Sequence, residues 1–154
     1  MPKKRPKVSH KPNVIIEKTD IEDRQTNLVI SYKYLINSNK YSLDSIKDNR
    51  IKIQFYNDLI TKLNEYCSFE NFKKYISSDK GYAKSNHIHP IDWNDNRIRE
   101  KKFTSLNEKL MEQIKDDCWQ LGINSTTFRI HGFFIENVFY VVWLDPLHML
   151  YESK

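Results

Sequence analysis

The chain has 154 residues, 13% of them aromatic, a formal net charge of +5 and only three glycines. That length fits one domain able to bury roughly two thirds of its unfolded surface, and the scattered Gly81, Gly122 and Gly132 exclude a Walker A loop or a dinucleotide-binding fingerprint. Residues 1–18 hold six Lys/Arg against one Glu while the rest of the chain holds nineteen of each sign, so the basic character belongs to the N-terminus and not to the folded body.

Residues 1–12 contain three prolines, which exclude a helix or a central strand. They read as a flexible basic arm, either a solvated tail or, through Lys3, Lys4, Arg5, Lys7 and Lys11, a contact to nucleic acid or ribosomal RNA. Residues 13–154 are expected to form a single α+β domain, with helices packed on a mainly antiparallel β-sheet and the basic arm disordered. Asn13 to Glu17 can open a strand. Residues 27–36 alternate, with Leu28, Ile30, Tyr32, Tyr34 and Ile36 on one face, as in a half-buried strand.

From Asn49 the period changes to that of a helix running to Cys67. Ile51, Phe55, Leu59 and Leu63 form its apolar stripe, widened by Tyr56, Ile60 and Tyr66. Ser68 is placed to cap a second helix through Ile76, with Phe69, Phe72 and Ile76 inward. Ser77 to Asp92 has turn chemistry and no period, so a loop is expected. Ser105 and Glu108 match a capping box. Leu106, Leu110, Ile114, Cys118 and Leu121 follow at helical spacing, with Gly122 as a left-handed stop. Residues 126–151 then read as two β-rich runs around a turn at Glu136-Asn137, and Gly132 marks a candidate bulge.

The closing hairpin puts Arg129 and His131 on one face, with His148 and Tyr151 just beyond it. An arginine neutralises phosphate with a planar fork, and a histidine moves protons near neutral pH. A tyrosine stacks on a base or shares a proton. Together they can cut RNA without a metal, by activating the 2′-hydroxyl and protonating the leaving oxygen. The alternative is structural: Arg129 paired with Asp145 or Glu136, and the histidines half-buried in the sheet. His87-Ile-His89 with Asp92 could share a metal with His131 or His148, or form a structural loop anchored by Trp93. Arg97, Arg99, Lys101 and Lys102 suggest one basic edge for nucleic acid, or a solvated approach to the helix. No cofactor and no metal is assigned.

The order amphipathic helix, Phe128-Arg129-Ile130, Phe139-Tyr-Val-Val-Trp143, then a terminal His and Tyr, resembles the RelE/YoeB superfamily of ribosome-dependent mRNA-cutting toxins over about residues 100–151. The resemblance implies that Arg129 contacts the scissile phosphate, that His148 moves a proton and that Tyr151 stacks or assists. It also implies RNA or the ribosome, and an antitoxin, as partners. The chain departs from those toxins in its neutral body, in residues 1–95 and in Asp145 beside the site.

The expected function is therefore a small toxin-like endoribonuclease using metal-free acid/base chemistry. The alternative is a non-catalytic nucleic-acid- or protein-binding adaptor, regulatory or defence-associated. Cys67 and Cys118 fit no zinc or CxxC spacing, and there is no apolar run long enough to span a membrane. A cytoplasmic protein without a disulfide is expected, with the Lys, Asn, Ile and Tyr usage of an AT-rich bacterial or phage genome. Phe133, Phe134, Phe139 and Trp143 make a homodimer a candidate assembly, because one monomer need not bury them all.

Overall fold

The structure, a computed structural model, describes residues 26–37 and 40–152. The basic arm with Lys3, Lys4, Arg5, Lys7 and Lys11, and the strand expected at Asn13 to Glu17, lie outside the described residues. Strand β1 (Val29–Ser31) is followed by a 3₁₀ turn (Leu43–Ser45) and helices α1 (Asn49–Cys67), α2 (Phe72–Ser78) and α3 (Lys80–Ser85). Strand β2 (His89–Pro90), helix α4 (Glu108–Ile114) and strands β3 (Cys118–Gly122), β4 (Arg129–Ile135) and β5 (Val138–Asp145) complete the order. The five strands run β1-β5-β4-β3-β2. Among the described residues, β1 pairs with β5 in parallel and the other three pairings are antiparallel. The fold is α+β on a mixed, mainly antiparallel sheet.

Alternate residues of β4 feed two cores, as the pleat requires. Ile130 and Phe134 pack with Phe55, Leu59, Leu63 and Tyr66 of α1 and with Phe72 and Ile76 of α2. Phe133 packs with Trp143, Val142, Phe103, Met111 and Ile114. All four aromatics that suggested a dimer are inside the monomer, Phe133 and Phe139 at 0%, Trp143 at 1% and Phe134 at 2% exposure. The argument for a homodimer from those residues therefore falls.

Helix α1 forms where expected, capped by Asp48, whose side chain accepts from the Arg50 amide at 2.8 Å. Its buried stripe is narrower than expected: Ile51, Tyr56 and Ile60 are exposed at 41%, 51% and 68%. The expected strand at 27–36 shrinks to three residues, because the chain turns at Tyr32, whose carbonyl accepts from the Leu35 amide. Leu28 and Ile30 join the first core and Tyr34 and Ile36 the second.

Ser68 ends α1 instead of starting α2; its hydroxyl donates to the Glu65 carbonyl, and Asn71 at φ 50 precedes α2. Phe72 and Ile76 are buried as expected. The loop expected from Ser77 to Asp92 contains α3, capped by the Asp79 carboxylate on the Tyr82 amide at 2.9 Å, and β2.

The largest departure concerns residues 105–122. Asn107, not Ser105, caps α4, accepting from the Leu110 amide at 2.8 Å, and the helix stops at Ile114. Cys118 to Gly122 are a strand in which all five residues are buried. Helical spacing at Cys118 and Leu121 coexists with the continuous burial of a central strand, and the pairing with β4 decides it. Gly122 is no left-handed stop, since none of the described glycines has positive φ. It is needed for close approach: a Cβ there would lie 2.0 Å from the Asn86 carbonyl oxygen. The turn at Glu136-Asn137 and the bulge at His131/Gly132 are where the sequence placed them. Among the described residues no helix is long and apolar enough to cross a membrane.

Candidate functional site

Beside the short edge strand β2 lies a cavity of about 780 Å³. Ile76 and Ala83 from the helices, with Ile88, Pro90 and Trp119, form the apolar part of its lining. The polar part of its lining holds Lys80, Lys84, Arg97 and Arg129 against Glu152, the one acid among the described lining residues, together with His87, His89, His148, Gln120 and Tyr151. A body with no net charge thus gathers an electropositive lining at one place.

Arg129 opens β4, opposite Gly122 and Asp145. It is 2% exposed, and the loop before it cages the guanidinium. Nη1 donates to the carbonyls of Asn124 (3.0 Å) and Phe128 (2.9 Å), and Nη2 donates to that of Thr126 (2.8 Å). The Asn124 side chain shapes this loop by accepting from the amides of Thr126 and Phe128. An arginine has five N–H groups. Three are used here, and the Nε–H has no acceptor. Burial lowers the Arg129 pKa, opposed by the charge of Asp145, but a guanidinium remains charged. No carboxylate of the described residues forms an ion pair with it, so neither Asp145 nor Glu136 consumes its charge.

Asp145 and His131 are both fully buried, with His131 Nε2 donating to Asp145 Oδ2 at 2.9 Å. The same carboxylate accepts from the amides of Met149 (2.7 Å) and Leu150 (3.0 Å). Burial raises the Asp145 carboxyl pKa, but the His131 bond and the two amides more than offset this and hold it below the usual range. Asp145 is paired, and does not face the cavity as a repelling charge. It instead ties down the turn that carries His148.

His148 takes φ 54, a left-handed conformation that costs a non-glycine residue strain of about 1–3 kcal/mol. No described residue hydrogen-bonds to its imidazole. Its pKa is lowered by burial, then by the charge of Arg129, with Asp145 opposing. The ring is therefore neutral at pH 7, with a lone pair free to take a proton. Tyr151 is held by a β-bridge to Ile98. Its ring lies 5.3 Å from that of His89 and 5.9 Å from that of His148. Burial raises its pKa, so the phenol keeps its proton.

His89 is different, because both its ring nitrogens are committed. The Gln120 amide nitrogen donates to the His87 carbonyl and to His89 Nε2, both at 3.1 Å. A carbonyl only accepts, so the amide orientation is fixed, His89 Nε2 is an acceptor, and Nδ1–H donates to the Pro90 carbonyl at 2.9 Å. Burial lowers the His89 pKa, consistent with a neutral ring.

The structure brings Arg129, His148, Tyr151 and Arg97 to one cavity. It does not bring His131 there, because the strand row His89, Gln120, His131 runs inward and leaves His131 at 0% exposure behind Asp145. Nor is there one basic edge. The backbone of Arg97 to Arg99 pairs with that of Leu150 to Glu152, which leaves Arg97 at the cavity, bonded to Asp95 at 2.6 Å. Lys101 and Lys102 line a separate depression with Glu108, Glu112 and Asp116, and Arg99 lines neither. The shared-metal geometry at His87 and His89 also fails. His87 has φ 53, so the segment is not extended, and among the described residues no group of three His, Cys, Asp or Glu can hold an ion. Trp93 packs as an anchor, 5.0 Å from Phe103.

Gln120, Lys80 and Lys84 were not legible as site residues. Gln120 was hidden in an expected helix, and the lysines in an expected loop. No curated protein and no solved structure matches the chain. Residues 29–154 match the family model described as Uncharacterised protein UU032, and the chain belongs to that family.

Proposed function

We propose that the protein is a metal-independent endoribonuclease of the toxin type, acting on RNA alone or at the ribosome and held in check by a protein partner. The observation that supports this most is Arg129: a caged, buried guanidinium with an unfilled Nε–H, lining the same cavity as a histidine with both nitrogens free. Arg129 binds the scissile phosphate and offsets the charge that develops on its oxygens. His148 takes the 2′-hydroxyl proton, O2′ attacks phosphorus, and the P–O5′ bond breaks. Tyr151 gives its proton to the leaving O5′; His148 then releases to solvent the proton it took, and solvent reprotonates Tyr151. The products are a 2′,3′-cyclic phosphate and a 5′-hydroxyl, with no change in oxidation state. Asp145 and His131 position the turn and touch no substrate.

Induced expression of the wild type beside His148→Ala, with mapping of cellular mRNA ends, tests the reading. The wild type is expected to stop growth and cut mRNA, in extracts containing EDTA as well. His148→Ala is expected to be folded and harmless, since a positioned base contributes about 10²–10⁴-fold in rate. A second reading, a non-catalytic adaptor, draws on Ile53, Tyr56 and Ile60, which are exposed at 60%, 51% and 68% along α1. It predicts a bound protein whose capture depends on those three residues and is indifferent to His148→Ala.

A further inference from the structure

Arg129 is not the only buried group at the cavity that lacks a partner. Gln120 is 1% exposed and lines the same cavity, and its Oε1 has no donor. The amide cannot turn over to relieve this, because its nitrogen already donates to the His87 carbonyl and to His89 Nε2. Turning it would set Oε1 against a carbonyl that can only accept. Arg129 and, two residues along the sheet register, Gln120 thus each bring one buried, unpartnered polar atom to the cavity lining, a charged donor and a neutral acceptor. The same cavity is also lined by the apolar side chains of Ile76, Ala83, Ile88, Pro90 and Trp119. The complementary ligand carries an anion, a flat apolar face and a hydrogen-bond donor at its rim, which describes a nucleotide with an amino-bearing base.

Resting on the RNA-cleaving reading, we propose that Gln120 is a specificity-determining residue that selects a base with an amino group in place of a keto oxygen, at N6 of adenine or N4 of cytosine, over uracil. The amino groups of adenine and cytosine project as donors beyond the ring edge where keto bases carry an acceptor. Uracil's one ring N–H lies between two keto oxygens. Bringing it to a recessed acceptor sets those oxygens beside Gln120 Oε1 and the His87 carbonyl. A buried acceptor left unfilled, or opposed by another acceptor, carries a penalty that corresponds to a difference of roughly 5- to 150-fold in affinity.

The test is an NMR titration of the full chain with cytidine 3′-monophosphate and uridine 3′-monophosphate, repeated with the adenosine and inosine pair. Each pair differs at the ring edge by amino against keto. The amino nucleotide is expected to bind at least about fivefold more tightly and to shift the Gln120 side-chain carbonyl carbon, and Gln120→Leu is expected to erase the difference. If Gln120→Leu does not fold, the carbon shift in the wild type decides the assignment. Equal affinities would overturn the inference, with a water filling Oε1 in both cases, as would a preference that persists in folded Gln120→Leu or leaves the carbon unmoved. Binding of neither pair also overturns it. Cleavage is decided separately by the mRNA ends: cut mRNA with no amino preference sinks only the Gln120 assignment. Preferential cytidine binding without cut mRNA sinks only the catalytic reading.

Discussion

His148 occupies a strained turn because the amides of Met149 and Leu150 are both bonded to Asp145. Removing half of that clamp leaves a buried donor or an unpaired buried charge. Asp145→Asn is therefore expected to lower stability by about 3–5 kcal/mol, read from urea midpoints, as for other broken buried pairs; a shift under about 1 kcal/mol would mean the clamp is dispensable. The histidines also set a pH dependence. His87, His89 and His148 all have pKa values below the ordinary 6.5, burial being the first cause in each. The native state thus binds fewer protons than the unfolded chain just below that pH. Their contribution to stability is full above pH 6.5 and is lost as the pH falls through the depressed native values. For activity, the acid limb of the rate profile, governed by His148, is expected to have its midpoint below 6.5; a midpoint above it would remove His148 as the base. Arg129, His148 and Tyr151 were legible in the sequence because all three lie on or just past the closing hairpin. His131 was misread because alternation tells which face a side chain takes, but not that Asp145 and the following turn seal that face. Gln120 and His89 were illegible as a pair, since only the register of β2 on β3 joins residues so far apart.

Helix α1 and the hairpin were legible because each has a single strong period and a clear stop. The segment from Ser105 to Gly122 was not, because Leu106, Leu110 and Ile114 continue at helical spacing into Cys118 and Leu121. Burial on both faces of β3 hides the alternation that would have marked a strand. The two assignments differ in their capping residue. Asn107→Ala is expected to cost about 0.5–2 kcal/mol, whereas Ser105→Ala, exposed and outside the cap, is expected to stay within about 0.5 kcal/mol. Denaturant midpoints of the two variants decide; the reverse order would restore the Ser105 cap. At the bulge, a Cβ on Gly132 would meet the Tyr140 carbonyl oxygen at 2.0 Å, so Gly132→Ala must part β4 from β5 or fail to fold. A destabilisation of about 1–3 kcal/mol or more is expected from the overpacking alone. A wild-type melting temperature in that variant would mean the strands part without cost.

Over the whole molecule, composition averaged away the feature that matters most. The body has as many acids as bases outside residues 1–18, yet among the described residues Lys80, Lys84, Arg97 and Arg129 line one cavity with Glu152 as the one acid. Arg97 and Tyr151 arrive there together because the chain pairs Arg97 to Arg99 with its last described residues. α2 and α3 contribute Ile76, Lys80, Ala83 and Lys84 to its lining, so the segment before residue 100 is part of the site. The four aromatics that suggested a dimer are buried in the two cores, and four of the exposed apolar side chains, Ile51, Ile53, Tyr56 and Ile60, lie on α1. The central claim is that a charged, buried Arg129 and a free His148 cut RNA without a metal. The most direct measurement maps mRNA ends after induction of the wild type and of His148→Ala, with EDTA added to parallel extracts. The account predicts new 5′-hydroxyl ends in the wild type, unaffected by EDTA and missing in the folded variant. Intact mRNA in the wild type, cleavage that EDTA abolishes, or cleavage that survives His148→Ala would contradict it.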